Sequence, residues 1–315
     1  INNTFLNYRD IDKNHNQQVS SEIFSQKIIV SNKTGLKFEN TIQNRLIYFT
    51  DSENDFNQLR AFPQIASKIS FPLIKISKKN SQLLEPLIMP IIAPYNNYAN
   101  SQNISNSNIF SLNRETSLSQ WESGPRVNYG LNWLINYDNF LINSTIGQSV
   151  KINKEKNIDT NEISNYFIGN TLDFGNLGYI KTDITVDRNK LYLKDNNINA
   201  SMDLGEFKFG FDYDYESIDK IKTSEQISVG TKIRVFKDVN VVASIRKDLM
   251  TENSVGNAFG LHYENDCLAL NLDYFRDFTS VDDIKNSRGV SFTITLKPFG
   301  TTKQRGKTRN FGPEL

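Results

Sequence analysis

The segment from Glu206 to Glu216 alternates aromatic with charged residues at every position but one, where a glycine stands. The aromatic positions are Phe207, Phe209, Phe211, Tyr213 and Tyr215. Successive side chains of a β-strand point to opposite faces, so one face of such a strand would be wholly aromatic. In a soluble sheet that face needs a packed partner, and in a membrane barrel it faces lipid while the charged face lines a watery lumen.

The same alternation recurs along the chain, most clearly over residues 127–135, 268–274 and 290–296. It predicts about 16 strands that fill nearly the whole chain, and no segment shows the 3.6-residue apolar period of a helix. A soluble antiparallel sheet with one wet face is the alternative interpretation. About 16 long strands in series exceed a usual open sheet, which favours a barrel.

The predicted connections sort into tight and long ones that alternate along the chain. The tight ones are residues 32–33, 77–81, 137–138, 175–177, 205, 237–238 and 265–266. The long ones are residues 9–21, 49–59, 96–123, 151–166 and 278–287. Short periplasmic turns and long extracellular loops are typical of outer-membrane barrels. The fold class predicted is therefore all-β, an antiparallel transmembrane barrel in the cell outer membrane, whose final strand runs down into the periplasm.

Composition agrees with this prediction and excludes one class of partner. The chain is 38% hydrophobic with a mean hydropathy of −0.48, and no stretch approaches the roughly 18 apolar residues of a spanning helix. A barrel needs no such stretch, because half of each strand is polar. The net charge of +1 gives no electrostatic case for binding nucleic acid.

The first ten residues have no basic start, apolar core or small-residue cleavage site, so they are not a signal peptide. Either the chain is soluble or it is a piece whose beginning lies elsewhere. The second interpretation predicts that this chain alone cannot make the native closed pore. An open sheet leaves unpaired backbone groups in lipid, at several kcal/mol each.

Five prolines fall in two adjacent predicted strands and suggest weak pairing or strong bending there. They are Pro63, Pro72, Pro86, Pro90 and Pro94. Proline removes a hydrogen-bond donor from the sheet and belongs on edges or bulges. Simple bulging and a moving part are both open interpretations of this proline-bent hairpin.

Catalysis by an outer-membrane enzyme would recruit histidine or a carboxylate pair. The only histidines are His15, in a polar predicted loop, and His262, on the predicted lumenal face. Asp214 between two tyrosines and the pair Asp282–Asp283 are explained by strand alternation and loop exposure. No phosphate-binding glycine motif or metal-ligand spacing is present in the sequence, so we predict that the chain is not an enzyme and has no cofactor.

Three stretches resemble the C-terminal barrel of the LptD family, the lipopolysaccharide-assembly proteins of the outer membrane, in an alphaproteobacterial form. They read LEPLIMPIIAP from Leu84, NIFSLNRETSLSQWESGPRVNYG from Asn108, and GLHYENDCLALNLDYFRDFTSVDDIKNSRGVSFTITLKPFG from Gly260. Their order and spacing carry the resemblance, which spans residues 84–300. Before Leu84 only the strand pattern supports a barrel.

The resemblance implies lipopolysaccharide transport and insertion into the outer leaflet through a barrel lumen and a lateral gate. It implies a lipoprotein plug, LptE, a periplasmic Lpt bridge reached through an N-terminal domain outside this chain, and contact with outer-membrane lipid. Residues 1–300 would then be the C-terminal part of a larger barrel. A diffusion porin would show the same strands and loops and is the alternative function.

Cys267 is the only cysteine, so a disulfide would need a partner outside this chain. It follows the tight turn 265–266, which the predicted topology places in the oxidising periplasm. The resemblance implies the same, since the family bridges its periplasmic domain to this part of the barrel. The alternative is a small lumen-facing residue that alternates with Leu268.

The closing strand, residues 288–297, would pair with the first strand of the barrel and form the lateral gate. Its gate residues are Gly289, Val290, Ser291, Phe292, Thr293, Ile294, Thr295 and Leu296. Val290, Phe292, Ile294 and Leu296 would face acyl chains, and Pro298 would end the strand. A permanently paired strand that serves as the assembly signal is the alternative. Residues 301–315, which carry four basic residues, are predicted to be a disordered periplasmic tail.

Overall fold

The structure, a computed structural model, describes residues 2–9, 15–51, 56–95, 104–114, 122–152, 163–278, 286–297 and 300–302. Within these residues the chain is all β, which confirms the predicted class, and its paired strands are antiparallel. One 3-10 turn, Gly175–Leu177, is the only helical element there. No helix in the described part of the chain has the length and apolar character needed to cross a membrane.

The chain divides into two compact units, residues 1–135 with 144–168 and residues 136–143 with 169–315. The first contains β1 (Asn2–Arg9), β2 (His15–Val30), β3 (Lys37–Asp51), β4 (Phe56–Ser70), β5 (Leu73–Ile76), β6 (Asn80–Ile92), most of β7 (Arg126–Tyr137) and of β8 (Leu141–Lys151), and the start of β9 (Tyr166–Asp173). The second contains β10 (Gly178–Val186), β11 (Leu193–Asp203), β12 (Phe207–Ile218), β13 (Ile221–Phe236), β14 (Val239–Asp248), β15 (Ser254–Glu264), β16 (Leu268–Asp277), β17 (Ser287–Leu296) and β18 (Gly300–Thr302).

In the first unit the sheet has two faces of different character. Strands β2, β3 and β4 pair in unbroken register over fifteen residues, from Val30↔Lys37 to Asn16↔Asp51 and from Lys37↔Ser70 to Asp51↔Phe56. One face buries Gln43, Ile47, Phe62, Gln64 and Ala66, and β6 adds Leu87, Met89 and Ile91 to it. The opposite face exposes Ile42, Ile65, Ile88 and Ile92. The buried face is covered by a loop described below.

In the second unit nine strands follow one another as antiparallel neighbours in chain order. The register places Phe211 beside Val229 and Ile245, and Asp212 beside Ser228 and Arg246. The alternation predicted for 206–216 is therefore carried through the neighbouring strands as an apolar face and a polar face.

Asx side chains close most hairpins of the second unit. The carboxylate of Asp187 accepts the backbone N–H groups of Asn189 and Lys190 at 3.0 and 2.7 Å. Asp173, Asp203, Asp248 and Asn265 make similar bonds to the N–H groups of residues two or three positions later. Aspartate and asparagine fold a chain back in this way because the short side chain reaches the turn backbone.

Several predicted boundaries are wrong. Residues 60–76, which lie between the predicted connections 49–59 and 77–81 and were expected to form one strand, are broken at Phe71 and Pro72 into β4 and β5, since proline cannot donate to the ladder. The predicted long loop 49–59 shrinks to residues 52–55, because β3 and β4 extend into it. Residues 217–223 form a two-residue hairpin at Asp219 and Lys220, whose φ angles of 51° and 70° suit the tight turns of twisted hairpins.

The chain end also departs from the prediction. β17 is not the last strand, because β18 pairs with Ile294, Thr295 and Leu296. Thr301 and Thr302 are therefore strand residues, whereas residues 303–315 of the predicted tail lie outside the described residues.

Candidate functional site

A loop segment lies on the buried face of the first unit. We call residues 104–114 and 122–124 the covering segment; both parts belong to the predicted long loop 96–123 or follow it directly. Ile109 is fully buried, and Phe110 and Leu112 pack against the cluster of Ala66, Met89 and Ile91. The segment therefore folds back onto the sheet and is fixed there by apolar burial.

Two glycines of the hairpin formed by β7 and β8 make room for the covering segment. A Cβ atom on Gly147 would stand 2.9 Å from Cγ1 of Ile109, and one on Gly130 would stand 2.8 Å from Cζ of Phe110. Real Cβ atoms avoid such distances. Because both positions lack a side chain, the two apolar residues of the segment can lie directly on the strands.

A buried ion network joins the two ends of the covering segment to β7. Arg114 donates from Nε to Oε2 of Glu122 at 2.8 Å, and its Nη2 donates to Oε1. Nη2 of Arg126 lies 3.2 Å from the same Oε2 and also donates to the carbonyl oxygen of Leu112. All three charged side chains are buried. A bidentate arginine–carboxylate pair is among the strongest polar contacts in proteins.

Neutral polar groups surround the network. Nε2 of Gln64 donates to the carbonyl oxygen of Glu122 at 2.9 Å, and the N–H of Glu122 donates to Oδ1 of Asn113 at 3.0 Å. Oγ of Ser149 donates to Oδ1 of Asn128 at 2.7 Å. Some buried polar atoms have no partner among the described residues, including Nη1 of Arg114 and both Nε and Nη1 of Arg126. With two arginines on one carboxylate, the site is cationic and rich in hydrogen-bond donors.

The ion network was missed in the sequence, although its residues lie in the stretch that carries the family resemblance. Within residues 96–123 the only charged residues are Arg114, Glu115 and Glu122, amid serine and asparagine. An arginine and two glutamates in a loop that is otherwise uncharged, close to Ile109 and Phe110, were the available signal. That pattern is weak, because seven residues separate Arg114 from Glu122 and Glu115 follows Arg114 directly.

The proline-bent hairpin corresponds to β4, β5 and β6 of the first unit. The pairing of β4 with β6 is interrupted between the pairs Ala66↔Ile91 and Ile69↔Ile88, where Pro90 lies. Pro72 separates β4 from β5, whereas Pro63 is accommodated in continuous register opposite Asn44. The pairing is irregular at Pro90 and at Pro72. Strong bending, simple bulging and a moving role for this hairpin all stay predictions.

Cys267 lies in the turn between β15 and β16, and its thiol is free and exposed. Its N–H donates to Oδ1 of Asn265 at 3.0 Å, and its carbonyl accepts the N–H of Lys297 at the same distance. The residue precedes β16 instead of starting it, so its backbone belongs to the turn. A disulfide to a partner outside the chain stays a prediction.

The predicted gate residues form most of β17. This strand pairs with β16 from Asp277↔Ser287 to Leu268↔Leu296, and Val290 and Phe292 are exposed on the apolar face. Ser291, on the polar face, is buried. β18 occupies the other edge at the last three residues of β17, which were predicted to be free for a seam.

His262 has a partner on the polar face of the second unit. Its Nε2 lies 2.7 Å from Oδ1 of Asp273, and a Cβ atom on Gly260 would stand 2.1 Å from that oxygen. Ser291 is the Cα partner of Asp273 in the register, and its buried hydroxyl forms no hydrogen bond with the imidazole or with any other described residue. A histidine that activates a serine must contact it directly.

The described residues contain no cluster of His, Cys, Asp or Glu that could hold a metal. His15 begins β2, not a loop.

The apolar face of the second unit is organised in rows across β15, β16 and β17. The rows are Phe259–Tyr274–Val290, Leu261–Leu272–Phe292 and Tyr263–Leu270–Ile294. Side chains of the first two rows are 44–63% exposed. Phe275 is the only apolar side chain among the described residues of this unit that is buried.

No family profile and no curated protein sequence matches the chain. Similar solved structures include a triple mutant of Rhodopseudomonas blastica porin, with 8% identity and a TM-score of 0.35 over 88% of this chain and 89% of that one. Another mutant of Rh. blastica porin has 9% identity and a TM-score of 0.34 over the same shares. Overlap at this level carries no argument about function.

Proposed function

We propose that this chain is part of a β-barrel in the cell outer membrane and that the barrel provides a passage across it. The observation that carries the proposal is the second unit, in which nine strands bury one apolar side chain among the described residues while whole apolar rows are exposed. A soluble sheet of this size would bury that face against a second layer. In a lipid bilayer the same apolar face contacts acyl chains, so it is stable without a second protein layer.

The height of the apolar face fits within the apolar part of an outer membrane. Along β17 the apolar positions run from Val290 to Leu296, six steps or about 20 Å of strand, which is about 15 Å along the membrane normal at a strand tilt of about 40°. The apolar band of an outer-membrane barrel is roughly 25 Å tall. Polar residues on the opposite face, such as Asp212, Ser228 and Arg246, would then line the passage.

The covering segment gives the passage a fixed internal feature. In the first unit the face that it covers is opposite the exposed isoleucines, so under this proposal the segment lies inside the barrel. Its ion network carries one net positive charge, which lies buried between the segment and the sheet. The segment would therefore narrow the passage instead of forming a surface loop.

For the cargo we propose lipopolysaccharide, delivered to the outer leaflet through a lateral gate at β17. The support is the resemblance to the LptD family, together with the exposed Val290 and Phe292 backed by polar residues on the opposite face. Acyl chains would pass along the apolar face and sugars along the polar one. The LptE plug and the Lpt bridge belong to this proposal as partners.

A diffusion channel for small polar solutes is the second candidate. It is favoured by the covering segment, since a loop fixed by buried ion pairs suits a constriction of constant size. It is also favoured by β18, which occupies part of the edge that a lateral gate requires.

One experiment separates the two cargoes. In a Cys267→Ser background, a cysteine pair would lock β17 to the first strand of the full-length barrel. Lipopolysaccharide export predicts that surface lipopolysaccharide falls when the lock forms and recovers on reduction. A diffusion channel predicts normal export and unchanged solute flux in vesicles. Full locking with export at the normal rate would contradict the gate.

A further inference from the structure

Two arginines oppose each other on the apolar face of the second unit. Arg276 and Arg288 are Cα partners in the pairing of β16 with β17, and each shares its face with the apolar rows through Tyr274 and Val290. Both side chains are exposed. Directly opposed residues have Cβ atoms about 5 Å apart, and like charges at that position destabilise a sheet. The arrangement therefore calls for an anion.

Within the described residues neither guanidinium forms an ion pair. Arg276 contacts only an aromatic ring, with Cζ 4.4 Å from the ring centroid of Phe278. That cation–π contact orients the side chain without neutralising it. Half-buried Asn257 of β15 stands beside Arg276 in the register, and Ile245 of β14 stands beside Asn257. Lys247 is exposed on the same face, two residues beyond Ile245 along β14. The group of Asn257, Arg276 and Arg288, with Lys247 next to it, is called the basic row.

The basic row lies at the end of the apolar rows nearest the connection between β16 and β17. One step along the strands is Phe259–Tyr274–Val290, and two further apolar rows follow. A ligand that fits has an anionic head level with the arginines and apolar chains that lie along these rows. Guanidinium groups bind phosphate bidentately and with high strength.

We propose that the basic row binds the phosphate head group of a membrane amphiphile whose acyl chains cover the adjacent apolar rows. The occupant is a lipid and not free phosphate, because the basic row is continuous with two exposed apolar rows and a half-buried third, which together span about 13 Å of strand from Val290 to Ile294. The inference goes beyond the passage proposed above: it concerns the outside of the barrel and a bound lipid that is not transported.

The test uses the full-length protein in vesicles of phosphatidylethanolamine with or without phosphatidylglycerol or diphosphoryl lipid A. Lipid that remains bound after detergent extraction would be quantified by native mass spectrometry. The Arg276→Gln/Arg288→Gln variant should retain less anionic lipid, by roughly tenfold for each arginine. The matched control is Arg234→Gln/Lys237→Gln, which removes two exposed positive charges near the end of β13 and in the turn that follows it, and this variant should retain lipid normally.

The urea midpoint of unfolding gives a second readout, because the effect of Arg288→Gln on it should change sign with the lipid. Without anionic lipid the variant relieves the repulsion between the opposed arginines, so its midpoint should be higher than that of the wild type. With anionic lipid its midpoint should be lower than that of the wild type. The variant Arg276→Lys/Arg288→Lys keeps the charge and should lose part of the lipid, since lysine cannot bind bidentately.

The outcomes are distinguishable. Equal lipid retention by the double variant and its control would overturn the inference, as would destabilisation by Arg288→Gln in both vesicle types, which would indicate an internal counter-ion such as Asp282 or Asp283. Displacement by inorganic phosphate alone would indicate a free-anion site and would also overturn it. Failure of the protein to insert into any vesicle would instead defeat the proposed barrel.

Discussion

Arg114 and Glu122 face each other across the base of the covering segment, with Nε of the arginine 2.8 Å from Oε2 of the glutamate and both side chains buried. The pair closes a loop whose middle, residues 115–121, lies outside the described residues. Arg126, on β7, pairs with the same carboxylate, so the side chain of Glu122 joins the loop to the sheet.

Glu122→Gln should release the covering segment. The change leaves two buried arginines without their carboxylate, and breaking a buried pair by removing one partner costs about 3–5 kcal/mol. We expect a loss of this order in the free energy of unfolding measured with urea in lipid. Arg114 should also become a site for trypsin in the folded protein.

The matched control for that prediction is Glu39→Gln. Glu39 pairs with Lys37 at 3.6 Å, and both side chains are partly exposed. Exposed pairs contribute about 0–1 kcal/mol, so this variant should stay close to the wild type and resist trypsin at Arg114. Equal effects of the two changes would show that the network does not fix the segment.

Gly147→Ala should destabilise the same segment by a steric route. The added methyl group would meet Cγ1 of Ile109 at 2.9 Å, and overpacking of this kind costs typically 1–3 kcal/mol. In the Ile109→Ala background the obstructing atom is gone, so the cost of Gly147→Ala should shrink. A double-mutant cycle of urea midpoints measures this coupling, and additive effects would contradict the packing described.

The sequence predicted the faces of the strands better than their partners. Alternation identified Phe207–Tyr215 and Val290–Leu296 as strands with one apolar and one polar face, because successive side chains of a strand point to opposite faces. It did not reveal the β18 pairing, since a three-residue strand has no periodic signal. It missed the Arg114–Glu122 pair because a loop brings together residues whose spacing follows no rule.

Cys267 should form a disulfide with a cysteine outside this chain. Its thiol is exposed in a turn, so it is accessible without strand opening. Non-reducing electrophoresis of the full-length protein, with and without Cys267→Ser, measures the bridge as a difference in mobility. Identical mobility of the two proteins would remove the prediction.

The turn at Asp187 should loosen in acid. The pKa of this carboxyl lies below its ordinary value of 3.8, chiefly because the carboxylate accepts the N–H of Lys190. A lowered pKa in the folded state means that the stabilisation is full above the unfolded value and is lost as pH falls through the folded one. Hydrogen exchange of the Lys190 amide, corrected for intrinsic rates, should therefore accelerate only below pH 3.8.

Asp187→Asn is the control for the acid effect, because an asparagine oxygen can accept the same N–H and does not titrate in this range. Its Lys190 amide should keep a constant protection across the acid range. A wild-type amide that shows no protection at neutral pH would contradict the turn bond itself.

In a membrane-spanning barrel the apolar face of the second unit contacts lipid. This contact is tested by nitroxide labels at single cysteines along β16, in a Cys267→Ser background of the full-length protein in vesicles. Labels at Leu270, Leu272 and Tyr274 should be accessible to oxygen, which partitions into lipid, and labels at Ala269, Asn271 and Asp273 to a water-soluble nickel chelate. Accessibility that alternates with this parity is the predicted result. High nickel accessibility at Leu272 and Tyr274, or no alternation, would contradict a membrane-spanning barrel.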